Sequence, residues 1–201
     1  MKKLYGAKFS APAALRDGGW QERPDTLRAA RARTRALNLA PYSFFNAFNY
    51  TPPLIGFSSI GDKDTVRNAR QTGEFAWNLA TRPLAEAMNA SCASVPPEVN
   101  EFELAGLTPA ASRVISVPRV AESPVSFECR STQIIQLQGV DGVKVPTWLV
   151  LGEVVAIHIA REALKNGVYD TANAGHVLRA GGRGDYFTIG PEQLFRMYRP
   201  A

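Results

Sequence analysis

Three groups of side chains could carry chemistry in this chain. The first joins Ser43-Phe44-Phe45-Asn46 to Ser58-Ser59 and to Lys63-Asp64-Thr65. Hydroxyls at the end of an apolar run, a loop lysine and a helix start bring together free backbone N–H groups, a helix dipole and a cation. A phosphate monoester needs that set. The same residues also read as plain N-capping by Asp62, Asp64 or Thr65 beside an exposed lysine. The second is Asn78, a lone amide within Phe75-Ala76-Trp77-Asn78-Leu79. Once buried, it must find hydrogen-bond partners, either the polar edge of a heterocycle or a neighbouring backbone group. The third is His158, with Asp170, His176, Arg179, Gly181-Gly182 and Asp185-Tyr186 downstream.

Several chemistries are argued against. There are two histidines, and the two cysteines, Cys92 and Cys129, lack metal-ligand spacing. They are also too few for a disulfide framework and read as reduced, partly buried thiols. A His/Asp hydrolase would need a nucleophile elbow, which is missing. Gly181-Gly182-Arg183-Gly184 does not join a strand to a helix and misses the dinucleotide fingerprint, so it reads as a flexible turn. The net charge of +5 is concentrated in Arg23, Arg28, Arg31, Arg33 and Arg35. Without stacking aromatics among those arginines, nucleic acid is not the expected partner, and an anionic small ligand suits the charge equally well.

The elements that must position these groups follow from length and pattern. At 201 residues, 45% hydrophobic and 20% charged, the chain suits one domain, residues 1–201, with a single sizeable core. No apolar stretch approaches the roughly 20 residues of a membrane helix, and Met1 to Phe9 does not read as a secretory signal. A cytoplasmic protein that engages no membrane is the expectation. From Asn38 onward short apolar runs alternate with Gly and Pro, which predicts a mainly β domain with helical insertions.

Leu54 to Ser58 reads as a buried strand, and Thr65 to Thr72 as a short helix ended by Gly73 in the left-handed conformation. Phe75, Trp77 and Leu79 alternate at strand period. Pro83 to about Ser91 is a second short helix, opened by its proline. Val95 to Pro109 reads as an irregular loop with one helical turn. Val114–Val117, Val125–Leu137 and Thr147–Ile159 are strands, the last two a hairpin around Asp141-Gly142. The tail from Ala163 to Arg199 is polar with aromatic anchors and wraps the surface or a partner subunit.

The order of these motifs is more specific than any one of them. Asn38-Leu39-Ala40-Pro41-Tyr42-Ser43-Phe44-Phe45-Asn46 is followed by Pro52-Pro53 and an apolar strand, then Lys63-Asp64-Thr65 with Asn68. Gly-Glu-Phe-Ala-Trp-Asn-Leu follows from Gly73. Glu101-Phe102-Glu103-Leu104-Ala105-Gly106-Leu107-Thr108, Ser123-Pro124-Val125 and Leu151-Gly152-Glu153-Val154-Val155 with His158 come next. Arg179-Ala180-Gly181-Gly182 and Asp185-Tyr186 close the series. From about Asn38 to Tyr186 this resembles the flavin reductase-like family, the FMN-binding split barrels.

The resemblance implies a β-barrel with short helices: a six-stranded, Greek-key-like split barrel that forms a homodimer with FMN at the subunit interface. It implies that Ser43, Phe44, Phe45, Asn46, Ser58 and Ser59 line the ribityl and phosphate path. Lys63, Asp64 and Thr65 would hold the phosphate and flank the ring, with Asn78 nearby. His158, Arg179 and Tyr186 would approach the flavin, from the partner chain or their own, where a nicotinamide or acceptor docks. Residues 160–201 become a tail that wraps the partner.

The implied activity is an NAD(P)H-dependent flavin reductase, with NADH or NADPH as donor and an electron-accepting protein or monooxygenase downstream. The alternative is a non-catalytic, flavoredoxin-like FMN electron-transfer protein reduced by a partner. Residues 1–37 depart from the family pattern. Asp25 to Ala36 predicts a helix rich in arginine where the family has a strand rich in Val, Ile and Ser. Either the first barrel strand has been replaced, or the coding frame is shifted locally between in-frame flanks.

Overall fold

The fold was read from a computed structural model that describes residues 29–31, 37–96, 98–182 and 184–200. Two short strands, β1 (Ala29–Arg31) and β2 (Leu37–Leu39), pair antiparallel as a ribbon. They are followed by β3 (Phe45–Tyr50), β4 (Pro53–Ile60), α1 (Asp64–Thr72), β5 (Glu74–Asn78), α2 (Ala85–Ala90) and α3 (Glu101–Leu104). The chain continues through β6 (Pro109–Ala110), β7 (Arg119–Val120) and the long pair β8 (Val125–Gln138) and β9 (Lys144–Ile159). Three small hairpin pairs complete it: β6 with β7, β10 (Leu164–Lys165) with β11 (Val168–Tyr169), and β12 (Val177–Arg179) with β13 (Tyr186–Thr188).

The main sheet is antiparallel in the order β3-β4-β9-β8-β5, with the β1–β2 ribbon packed beside β5. The Asp141-Gly142 turn joins β8 and β9 as expected, and Gly139 N–H closes it on Val143 O at 2.8 Å. Register shifts at Glu128/Cys129, Ser131/Gln133 and Gln136/Gln138 let this hairpin curl, because each bulge adds local twist. Such curling turns a flat ladder into the wall of a barrel.

Both faces of β5 are buried, which its alternation predicted for one face alone. Phe75 and Trp77 join Ile55, Phe57, Phe127, Val150 and the α1 residues Val66 and Ala69 in one core. Ala76, on the opposite face, joins Leu39, Leu84, Phe102, Ile115, Val117 and Val120 in a second. Trp77 stacks between Phe45 at 5.2 Å and Phe127 at 4.7 Å. Gly152 lets β9 pass this core: a Cβ there would sit 2.4 Å from Phe75 Cε1 and 3.1 Å from Arg130 O.

Two expectations are corrected. Val114–Val117 is not a strand, although Ile115 and Val117 are buried. The amides there go to carboxylates instead of a ladder: Val114 and Ile115 N–H reach Glu128 Oε2, and Ser116 N–H reaches Glu74 Oε2. Within the arginine-rich segment, Ala29–Arg31 is a strand paired with Leu37–Leu39, not a helix. Pairing to a neighbour overrides the helical preference of alanine and arginine. The rest of Asp25–Ala36 lies outside the described residues.

Candidate functional site

The site starts where β4 ends. Ser59 is fully buried and donates its hydroxyl to Gly61 O at 2.9 Å, so it shapes the turn. Gly61 takes φ 93°, open to glycine and strained for other residues. Lys63 then begins α1 in extended conformation, and among the described residues no side chain caps the first turn. Capping by Asp62, Asp64 or Thr65 is therefore not what this helix does. Asp64 is paired with Arg67, and Arg70 reaches Asp62 Oδ1 at 3.2 Å. The two acidic groups nearest the helix start are thus neutralised along its side, and the exposed Lys63 leaves the N-terminus positive. At the far end Gly73 takes φ 71° and its N–H returns to Ala69 O, the expected stop.

The residues of the β3–β4 strands fall on two faces. Phe45 pairs with Phe57 and Asn46 with Gly56, so Phe45 points into the core with Trp77 while Asn46 points outward. Phe44, at 49% exposure, shares the outer face with Asn46 and with Ser58, whose N–H reaches Phe44 O at 2.9 Å. Ser43 is exposed just before the strand. Asn46 Oδ1 accepts the Ala47 N–H at 2.9 Å, which leaves its amide nitrogen for other partners. Phe48, 53% exposed, lies over Gly56, where a Cβ would stand 2.9 Å from its ring and 2.6 Å from Leu151.

Thr65 is held elsewhere. Its hydroxyl donates to Asn38 Oδ1 at 2.5 Å, and Asn38 in turn donates to the buried Glu101 at 3.1 Å. Neither Asn38 nor Glu101 stood among the residues expected to bind. Their only sequence signal was membership of separate motifs, 63 residues apart.

Asn78 is 5% exposed, and its Nδ2 makes one long bond, 3.4 Å, to Ala76 O. Its Oδ1 is buried with no hydrogen-bond partner among the described residues. By register its neighbours are Ser126 on β8 and, beyond that, His158 on β9. An orphaned buried carbonyl calls for an explanation, such as a bound water or ligand group.

His158 is buried within the sheet. Its Nε2 lies 2.6 Å from Glu128 Oε1, and both side chains are buried. Burial alone would raise the Glu128 carboxyl. The His158 bond and the N–H groups of Arg113, Val114 and Ile115 outweigh it and bring the pKa down to about 2. His158 is therefore a structural partner of Glu128, because its ring nitrogen is already engaged inside the sheet.

Arg179 and Tyr186 do meet, as register partners of the β12–β13 hairpin. Arg179 donates to Tyr186 Oη at 2.8 Å and to Gly182 O at 3.1 Å, with its guanidinium 4.8 Å from the Tyr186 ring centroid. Cys92 is exposed at the surface, against the expectation of a partly buried thiol; desolvation still pushes that thiol up, and the charges of Lys63 and Arg179 pull it back.

These features agree with the protein's relatives. The chain belongs to the family described as flavin reductase like domain, whose model matches residues 23–177, and its fold is that of the split-barrel flavin reductase-like proteins. It is 32% identical to nitrilotriacetate monooxygenase component B from Bacillus cereus, with a TM-score of 0.78 over 96% of this chain and 100% of that one. A putative flavin reductase with split barrel domain from Shewanella frigidimarina gives 25% identity and a TM-score of 0.76, over 88% and 86% of the two chains. An uncharacterized protein of Halalkalibacterium halodurans is 35% identical over 89% of this chain and 86% of its own length. A flavin-related oxidoreductase role follows. Among the described residues no helix is long and apolar enough to cross a membrane.

Proposed function

We propose that this protein binds FMN and acts as an NAD(P)H-dependent flavin reductase. The observation that carries the reading is the uncapped, positive start of α1, with the exposed Lys63 on it. The residues present fit a phosphate-bearing ligand there: backbone N–H groups of the first turn, a helix dipole and a lysine. FMN, when bound, supplies a ring that takes a hydride and returns electrons one or two at a time.

The chain's own residues bind and orient. Lys63 and the first-turn amides hold the phosphate, while Ser58, Asn46 and Phe44 border the path along the outer face of β3–β4. Asn78 Oδ1 is the buried acceptor that a donor on the ligand or a bound water would satisfy. Arg179 and Tyr186 offer a cation and an aromatic face to a nicotinamide dinucleotide. His158 is left out of that role in this reading, since its Nε2 is bonded to Glu128.

A homodimer belongs to the same reading. Phe44 and Phe48 lie on the outer sheet face, continued across the register by Leu151 and Leu149 of β9 and by Ile135 of β8. Such an apolar strip marks an interface, and a second copy would cover it. Leu194, Phe195, Met197 and Tyr198 are all exposed along the tail and suit a segment that wraps the second copy. The name of the Bacillus cereus relative supports a monooxygenase as the electron acceptor.

The test is an absorbance spectrum of the purified protein, repeated without oxygen after adding NADH or NADPH. Flavin bands that bleach support the reductase. Bands that persist with both nucleotides point to an electron carrier instead. A colourless protein that takes up no added FMN overturns the flavin reading.

A further inference from the structure

Resting on the flavin reading above, a buried chain of hydrogen bonds behind α1 acquires a role. Thr65, in the first turn, is 3% exposed and gives its hydroxyl proton to Asn38 Oδ1 at 2.5 Å. Asn38 Nδ2 gives a proton to Glu101 Oε1 at 3.1 Å, and Glu101 Oε2 takes the Leu39 N–H at 3.1 Å. The direction of this relay is fixed. Both Glu101 oxygens accept, one of them from the Leu39 N–H, so the Asn38 NH2 faces Glu101. Its carbonyl must then face Thr65, which has to donate. The single proton of the Thr65 hydroxyl is therefore committed to Asn38, and a phosphate would meet the backbone N–H of Thr65 in its place.

We infer that Glu101 and Asn38 are positioning residues: through Thr65 they fix the first-turn amides of α1 and so set the preference for FMN over riboflavin. The relay ties α3, β2 and α1 at one point, across sequence separations of 27 and 63 residues. A shift of that turn misdirects every amide it presents to the phosphate, but leaves the surface for the ring untouched.

Titration of the full-length protein with FMN and with riboflavin, followed by flavin fluorescence, tests this in E101Q, T65V, T65S and the double variant E101Q/T65V. E101Q and T65V should each weaken FMN about tenfold, as a lost buried bond would, and riboflavin less than about twofold. T65S keeps the hydroxyl and should bind FMN as the wild type does. The double variant should be no weaker than the worse single, because one relay is broken either way. Equal losses for both flavins mean a merely structural role and overturn the inference. So do additive losses, or FMN binding unaffected by E101Q. If E101Q loses its circular dichroism signal, T65V against T65S decides, since both leave the Glu101 bonds in place. A wild type that takes up no FMN overturns the flavin reading and this inference with it, whereas a wild type that binds FMN beside indifferent variants overturns the inference alone.

Discussion

Replacing Glu128 by glutamine should make this protein less stable at neutral pH and flatten its loss of stability in acid. The carboxylate sits at pKa about 2 against an ordinary 4.5, held by His158 Nε2 at 2.6 Å and by the N–H groups of Arg113, Val114 and Ile115 at 2.8, 2.7 and 3.0 Å. A depressed carboxyl stabilises the fold fully above its unfolded pKa and loses that contribution as pH falls through its folded one. At about 1.4 kcal/mol per pH unit the difference amounts to roughly 3 kcal/mol, of which about 2 kcal/mol is gone by pH 3. Glutamine keeps the shape but offers one acceptor oxygen where several donors converge, so a loss of about 3 kcal/mol is expected near pH 7.

Urea unfolding of the wild type and Glu128→Gln at steps from pH 7 to pH 3 measures both effects, and the difference between the two curves cancels the other carboxylates. The gap should be widest at neutral pH and close by about 2 kcal/mol toward pH 3. A variant within about 0.5 kcal/mol of wild type at pH 7 would refute the assignment, as would a gap that does not change with pH. His158→Gln should leave Glu128 its amide partners, and so should cost less than Glu128→Gln while keeping part of the pH dependence.

Three further outcomes are expected. Gly152→Ala pushes a methyl onto the Phe75 ring and toward Arg130 O, and should lower stability by about 1–3 kcal/mol in thermal or urea melts. Lys63→Gln should weaken FMN about tenfold at low salt and by less at high salt, with riboflavin unchanged, in fluorescence titrations. Equal losses for both flavins would remove Lys63 from the phosphate. Phe48→Asp, on the outer face of the sheet, should convert a sedimenting dimer to monomer without changing the circular dichroism spectrum, and a wild type that sediments as a monomer would sink the dimer itself.

What the sequence disclosed was local. The α1 helix and its Gly73 stop were legible because capping geometry depends on near neighbours, and the β8–β9 hairpin because Asp-Gly marks a turn between two β-branched runs. Val114–Val117 was misread since an apolar run looks the same whether its amides enter a ladder or a carboxylate. The acceptor that decides, Glu128, lies 13 to 15 residues away on β8. In the same way Thr65 looked like a cap or a ligand because its true partner, Asn38, is 27 residues upstream.

The two misreadings share a cause, and it bears on how this fold holds a charged ligand. Buried carboxylates here are used as anchors for backbone: Glu128 gathers the amides of Arg113–Ile115, and Glu101 takes Leu39 N–H while orienting Asn38. Each carboxylate is engaged by donors of the chain itself. Near that start, Asp62 and Asp64 are paired with Arg70 and Arg67. The acidic groups of the region are thus engaged with internal donors, while Lys63 stands exposed at an uncapped helix end. An anion arriving there meets unsatisfied N–H groups and a lysine without first displacing a capping carboxylate, so its binding should respond more to salt than to mild acid. FMN affinity at pH 5 should stay within about twofold of its value at pH 7 once the second ionisation of the phosphate is allowed for. A collapse of affinity between pH 7 and 5 beyond that correction would mean that a titrating group of the protein holds the phosphate, contrary to the arrangement of Lys63 and helix amides described above.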